Sequence, residues 1–368
     1  MKVGCLREKL KEAVIIAERL SGHNLTLPIL NTILLKADKK SLVIKATNLE
    51  VGVEIEVPAK IEEEGIIAIN ANILSSFLNN LTNEVKINLN TINDNLKITS
   101  ENNSTLIKGL IADDFPLIPK IEQENSFKID SNLLASSIRS VIFASSLSDI
   151  KPEIASVYVY NKDNYLIFTA TDSFRLAEKK IELKDLNNQE QISLIIPFKN
   201  INEITKVIDS LNSELLVSFN KNQLVIKTNN LYLTLRIIDG VYPDYQQIIP
   251  KNFKTEINIK KDDLLNILKL ATIFTDKFNQ IDLLIKADKN LIEINSYSNE
   301  VGENKSTLIT KIKGESLEVS FNAKYLTDFL VLIDDELISL KFTDKNHPLM
   351  MGGLNNESFS YLVMPINK

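Results

Sequence analysis

The 368-residue sequence is poor in the residues that staple small folds together: it has one cysteine, Cys5, and two histidines, His23 and His347. A single thiol excludes an internal disulfide framework, and so few Cys and His leave no ligand set for a structural zinc site. The expected setting is reducing and cytoplasmic. Ten glycines and ten prolines give no composition for a long flexible linker, so neighbouring domains are expected to abut. No apolar stretch approaches the roughly 18 uninterrupted residues of a membrane span, and the charged opening MKVGCLREKLKEAV lacks the apolar run of a secretory signal. Positive charge is in short supply as well. The 42 Lys and Arg face 48 Asp and Glu, a formal net charge of −6, which opposes adhesion of the whole surface to nucleic acid or anionic membrane but permits a local basic lining.

What is present is an ordinary folding composition, 44% hydrophobic and 24% charged, in a chain long enough for two or three domains. Self-similarity decides between the two. Three stretches share a strand-then-helix pattern: KVGCLREKLKEAVIIAERL from Lys2, FKIDSNLLASSIRSVIFAS from Phe127 and EINIKKDDLLNILKLATIF from Glu256. Their apolar stripes are Leu6, Leu10, Val14, Ala17; Leu133, Leu134, Ile138, Val141; and Leu264, Leu265, Leu268. Ser131 and Asp262 read as N-caps. The pattern recurs about 65 residues later in each copy, from Ile66, Ser193 and Leu317, with stripes Ile73, Phe77, Leu81; Ile201, Ile204, Ile208, Leu211; and Leu326, Phe329, Ile333. Alternating segments SLVIKATN, YLIFTATD and LIEINSYS lie between, and Leu42, Ile44, Ala46 match Leu166, Phe168, Ala170 at an offset of 124. Hairpins follow each second helix. The first two copies close on DDFPLIP and VYPDYQQIIP, where an aromatic before proline enforces extended or turn geometry.

This reading gives an α+β fold of three tandem similar domains, 1–121, 122–250 and 251–368, each with two helices packed on antiparallel sheets. With helices on one side and edge strands available to the next domain, three such units form an arc, half of a ring that a head-to-tail C2 pair would close. If such a ring encloses DNA, its helices should be less acidic than its exterior. The six helical windows together carry +3, leaving −9 elsewhere. Lys9, Lys11, Arg19, Arg139, Lys199, Lys206, Lys260, Lys269 and Lys324 are the candidates to approach phosphate, and so modest an excess suits closure rather than attraction as the means of retention.

With the repeats and their signposts in place, the chain resembles the bacterial beta sliding clamps along its whole length. The most specific pieces are LTLPILNTILLKA from Leu25, TATDSFRLAEKK from Thr169, VYPDYQQIIP from Val241 and YLVMPINK from Tyr361. The resemblance implies a DNA clamp fold and a homodimer that encircles duplex DNA and slides on it. It implies a clamp loader complex that opens the ring, and a short peptide of the DNA polymerase III alpha subunit or of other replication and repair partners entering an apolar pocket. It implies no catalysis and no cofactor. On the matching positions that pocket is Ile154, Thr171, Ser173, Phe174, Arg175, Leu176, Pro243, Ile248, Val363, Met364, Pro365 and Ile366. Apolar walls and an adaptable Met would take a hydrophobic side chain while Arg175 supplies polar orientation. DNA-facing positions are Asn24, Arg139, Lys199, Lys206 and Lys269; Thr105, Ile107 and Ile273 are placed at the dimer seam. The chain departs from the family pattern at Ser173-Phe174, usually Gly-His, at Asn367-Lys368, commonly Arg-Leu, and at Asn24, where an arginine is usual.

An enzyme is the first rival, but there is no Gly-rich phosphate loop, no G-x-S-x-G and no nucleophile motif beside His23 or His347. Scattered Asp and Glu are all that a nuclease reading would have. A three-domain scaffold that binds no DNA is the second rival, and the overall charge suits it equally well. Cys5 reads as a buried small side chain.

Overall fold

The computed structural model describes residues 1–368 apart from 23–25, 83, 122–124, 184–190, 355 and 367–368. Among the described residues six α-helices occur: α1 (Arg7–Leu20), α2 (Ala71–Asn80), α3 (Ser131–Ile142), α4 (Phe198–Asp209), α5 (Lys261–Ile273) and α6 (Ala323–Leu332). Each begins on the residue after a strand: Lys2–Leu6, Gly65–Asn70, Asn125–Asp130, Ser193–Pro197, Thr255–Lys260 and Leu317–Asn322. These are the six strand-helix units that the repeat implies. Leu42, Ile44, Ala46 and their counterparts Leu166, Phe168, Ala170 are all fully buried, as equivalent core positions should be.

Helix phase departs from the sequence reading in places. α1 buries Leu10, Ala13, Val14, Ala17 and Leu20, but Leu6 ends the preceding strand and is exposed. α2 turns Ala71, Leu74, Ser75 and Leu78 inward and leaves Ile73 54% exposed, so the expected stripe of Ile73 and Phe77 is the wrong face. In NILSSFLNN two stripes one residue apart both suit a helical period, and the helix start, pinned by Asn70 Oδ1 accepting from the Ile73 N–H at 3.1 Å, selects between them. α3 likewise buries Leu134 rather than the exposed Leu133.

Two caps also move. Asp130, not Ser131, accepts the N–H groups of Asn132 and Leu133, both at 3.0 Å; Ser131 is buried and takes the Ser213 N–H on its Oγ at 3.1 Å. α5 starts after Lys260 without a side-chain cap, so Asp262 sits in its first turn, where it favours the helix dipole instead. Asn322 caps α6 by accepting from Lys324 and Tyr325.

The chain forms two compact units, Met1–Ala135 with Lys199–Asp239, and Ser136–Phe198 with Gly240–Lys368. In the first, a 13-stranded sheet carries strand Leu231–Arg236 of the second repeat antiparallel to Val51–Val57 of the first, with Leu235 opposite Val51. In the second, a nine-stranded sheet carries Phe359–Val363 of the third repeat against Arg175–Glu182 of the second, with Val363 opposite Arg175. Hydrogen-bonded ladders therefore run through both repeat boundaries, and the middle repeat is shared between the units. A separate four-stranded sheet of the second unit ends on strand Gly302–Ile309.

Candidate functional site

Strands Tyr165–Thr171 and Arg175–Glu182 form a hairpin whose turn is Asp172-Ser173-Phe174. Ser173 has φ 78°, a left-handed conformation that costs a non-glycine residue about 1 kcal/mol. Local side chains hold it there. Thr171 Oγ1 accepts from the Ser173 N–H at 3.1 Å and donates to the Arg175 carbonyl at 2.7 Å. Asp172 Oδ1 accepts from the N–H groups of Phe174 and Arg175 at 2.9 and 3.0 Å. This is a closed Asx-type turn with its amides satisfied.

The tail is laced to that turn. After Val363 pairs with Arg175, the Met364 N–H donates to the Phe174 carbonyl and the Ile366 N–H to the Ser320 carbonyl, each at 2.8 Å. Nine of the twelve pocket candidates, 171, 173–176 and 363–366, are thus gathered around one strand pair. They divide by exposure: Thr171, Leu176 and Val363 are buried, whereas Phe174 is 61% and Met364 36% exposed. Buried members fix the geometry; exposed ones present apolar surface.

Pro243 and Ile248 are exposed on a segment anchored by its neighbours. Tyr242 stacks on Tyr158 at 4.6 Å between centroids and lies beside the Thr171 main chain; burial pushes its phenol well above the usual range. The Tyr245 hydroxyl donates to buried Glu178 and stands 2.8 Å from the Tyr160 hydroxyl, and burial followed by the adjacent carboxylate keeps it protonated. Ile154 is half-buried in the turn before strand Ser156–Lys162, its carbonyl accepting from the Ser146 N–H at 3.1 Å.

Arg175 is held by partners within the fold. Its Nε donates to Asp172 Oδ2 at 3.0 Å and its Nη1 to Asp328 Oδ2 at 2.6 Å. The guanidinium lies 4.4 Å from the Tyr325 ring centroid and 5.6 Å from that of Phe143, and the side chain is only 13% exposed. Tyr361 stacks on Phe329 at 5.1 Å, lies 5.3 Å from Phe143 and donates to the Tyr325 carbonyl at 3.1 Å; burial raises its phenol too. Asp328, Tyr325 and Phe143 escaped the sequence reading. The one available sign was an aspartate inside YLTDFLVLI, a segment otherwise read as core.

Three cavities lie elsewhere, and none is lined by a pocket candidate. One of about 510 Å³ is bordered by Asp282, Asn295 and Lys305, one of about 430 Å³ lies against Lys9, Ile16 and Leu211, and one of about 350 Å³ surrounds Lys45, Lys227 and Tyr232. Among the described residues no group of three or more His, Cys, Asp or Glu could hold a metal ion. No helix among them is long and apolar enough to cross a membrane.

Arg139 on α3, Lys199 and Lys206 on α4 and Lys269 on α5 are exposed; Lys206 pairs with Glu203 at 2.8 Å. Asn24 and His23 lie outside the described residues, as do Asn367 and Lys368. On strand Ser104–Leu110 the period of two turns Ile107 into the core at 5% exposure and sets Leu106 and Leu110 outward at 59% and 47%, with Thr105 half-buried. Ile273, at the end of α5, is 61% exposed beside Leu270 at 52%. Cys5 is buried, and its thiol is pushed up to about 12 by desolvation.

Three copies of a two-helix unit, with sheets continuing through the repeat boundaries, define the class of three-domain clamp proteins. The chain belongs to the DNA polymerase III beta subunit family, the beta sliding clamps. Family profiles described as the N-terminal, central and C-terminal domains of that subunit match residues 1–119, 128–244 and 246–367. The beta sliding clamp of Staphylococcus epidermidis is 28% identical over 351 residues, covering 93% of this chain and 92% of that protein. The crystal structure of the Thermotoga maritima DNA polymerase III beta subunit has a TM-score of 0.93 at 27% identity and covers 100% of this chain and 99% of its own. The Bacillus subtilis DNA polymerase sliding clamp gives 0.93 at 28%, with the same coverage.

Proposed function

We propose that this chain is the processivity subunit of a replicative DNA polymerase III. As a homodimer it forms a ring that encircles duplex DNA without sequence preference, is placed by a clamp loader complex and slides as a tether. It is neither an enzyme nor a cofactor protein, and it works in the cytoplasm. Domain limits of 1–121, 122–250 and 251–368 go with this reading.

The observation that carries the reading is a seam built twice within one chain. In each case the last strand of one repeat pairs with the strand after the Asx-type turn of the repeat before it. Continuing the pattern leaves two edges without a partner strand along most of their length among the described residues: Ser104–Leu110 of the first repeat beyond its neighbour Asn95–Thr99, and Gly302–Ile309 of the third. A second copy would satisfy both, head to tail. Exposed Leu106 and Leu110 on one side, Leu270, Ile273, Val301 and Ile309 on the other, and Lys108 against Glu300 and Glu303 favour that union. Thr105, Ile107 and Ile273 are its seam positions, with Ile107 supporting the strand from behind. Asn24, Arg139, Lys199, Lys206 and Lys269 face the duplex, and the helices' +3 against −9 elsewhere keeps the hold on phosphate weak.

The polymerase alpha subunit and other clamp-binding replication and repair proteins dock a short apolar peptide on the Thr171–Leu176 turn and the Val363–Ile366 tail, flanked by Ile154, Pro243 and Ile248. Exposed Phe174 and Met364 receive it. Topological retention tests the whole reading. Once placed by a clamp loader with ATP, the protein stays on nicked circular DNA and is lost on linearisation; equal retention on both would instead support a scaffold without a ring.

A further inference from the structure

We infer that Asp328 is a positioning residue for the partner peptide, acting through Arg175. The inference rests on the peptide-site reading above and adds a residue that no apolar-pocket argument predicts. Asp328 and Tyr325 stand three residues apart on α6, on one face of that helix. Both reach the same guanidinium, Asp328 by the 2.6 Å hydrogen bond and Tyr325 by the 4.4 Å ring contact. Arg175 belongs to the second repeat and α6 to the third, so the clasp closes across the seam that carries the site.

The geometry makes α6 the common support of both walls. One wall is the turn. Asp172 uses Oδ1 for the Phe174 and Arg175 amides and Oδ2 for the Arg175 Nε, so the guanidinium and the Phe174 backbone share one carboxylate. The other wall is the tail strand, where Tyr361 donates to the Tyr325 carbonyl and stacks on Phe329, two and three residues before Val363 and Met364 in the chain. With Asp328 in place, the planar fork of Arg175 bridges two carboxylates and its orientation is determined. Without it the fork keeps one carboxylate, and the Phe174 and Met364 side chains, whose backbones stay bonded to each other at 2.8 Å, lose the support of α6 behind Arg175. Asp328 need not touch the peptide to control how long it stays.

The test uses the full chain and fluorescein-labelled peptides tiling the DNA polymerase III alpha subunit of the same cell, read by anisotropy. The tightest tile should bind Asp328→Asn about tenfold more weakly, the scale expected for one charge-assisted hydrogen bond, chiefly through faster dissociation. Asp328→Glu should restore most of the affinity, Lys345→Ala, an exposed lysine of the same repeat, should change nothing, and Asp328→Asn should add no further loss in an Arg175→Gln background. Undiminished affinity in Asp328→Asn, or additive losses in the double variant, would overturn the inference. So would affinity that merely follows the thermal midpoint across Asp328→Asn and the core variant Leu326→Ala. If no tile binds the unaltered protein, the peptide-site reading itself fails and the inference falls with it.

Discussion

The two internal seams share one backbone and differ in their side chains. At the first, Thr47 Oγ1 accepts from the Leu49 N–H and donates to the Val51 carbonyl; Asn48 Oδ1 accepts from Glu50 and Val51; and the Arg236 N–H donates to the Glu50 carbonyl at 2.9 Å. At the second, Thr171, Asp172, Ser173, Phe174, Arg175 and Met364 repeat each of these bonds. Even the strained residue recurs, with φ 77° at Leu49 and 78° at Ser173. What changes is that Val51 stands for Arg175, Asn48 for Asp172 and Arg236 for Met364. The first seam can cap its turn but cannot clasp a guanidinium, and it ends in a charge, paired at 3.7 Å with Glu50, where the second ends in a thioether. The turn scaffold joins repeats; in the function we propose, the side chains placed on it make one of the joints a peptide site.

The largest test of that difference removes the tail. Deleting Val363–Lys368 should abolish binding of the polymerase peptide and leave the proposed dimer intact, seen by anisotropy and sedimentation equilibrium, because the edges proposed to join it belong to other strands. A smaller effect separates scaffold from site. Thr47→Ala and Thr171→Ala each remove the same two hydrogen bonds and should each lower stability by about 1–2 kcal/mol in urea unfolding, while only Thr171→Ala weakens the peptide. Smaller again, Leu49→Gly and Ser173→Gly should each raise stability by up to about 1 kcal/mol by relieving the left-handed strain, partly offset by a freer unfolded chain. Leu49→Gly should gain more, since Leu suits that conformation less than Ser.

The third copy of the same strand gives the mildest comparison. Gly302–Ile309 carries Lys305 opposite Asn295, where the first two copies set Glu54 opposite Lys45 and Glu178 opposite Thr169. The carboxylate has moved to Glu293, which Lys305 and then Lys286 hold down at about 2. A carboxylate depressed on folding contributes stability above its unfolded value near 4.5, and the contribution is lost as pH falls from there toward 2. Glu293→Gln should therefore make the fall in thermal midpoint between pH 5 and 2 shallower than in the parent, the remaining fall coming from the other depressed carboxylates, Asp38, Glu54, Glu62, Glu84 and Asp344.

Much of this was legible beforehand because it is local. The motif TATDSFRL contains both the Thr and the Asp that close the turn, and a turn is built from neighbours in sequence. Cys5 could be placed in the core from its strand alone. Other features had no local signature. The Arg175–Asp328 bond joins residues 153 apart, and a buried guanidinium cannot be told from an exposed one by residue type. Ile107 and Leu106 differ only in which way a strand faces, and the phase of α2 was ambiguous between two stripes until Asn70 set its start.

The sequence by itself determined three copies of a strand-helix pattern, the alternation that buries Leu42 and Leu166 alike, and the residues that meet at the turn and tail. Each follows from periodicity and short-range hydrogen bonding, which a chain carries wherever it goes. Tertiary structure alone decided which strands of successive repeats pair, which edges stay open, and that α6 reaches Arg175. Those outcomes depend on the register of strands far apart in the chain and on which side chains share a buried space, and neither is written in any one stretch of residues.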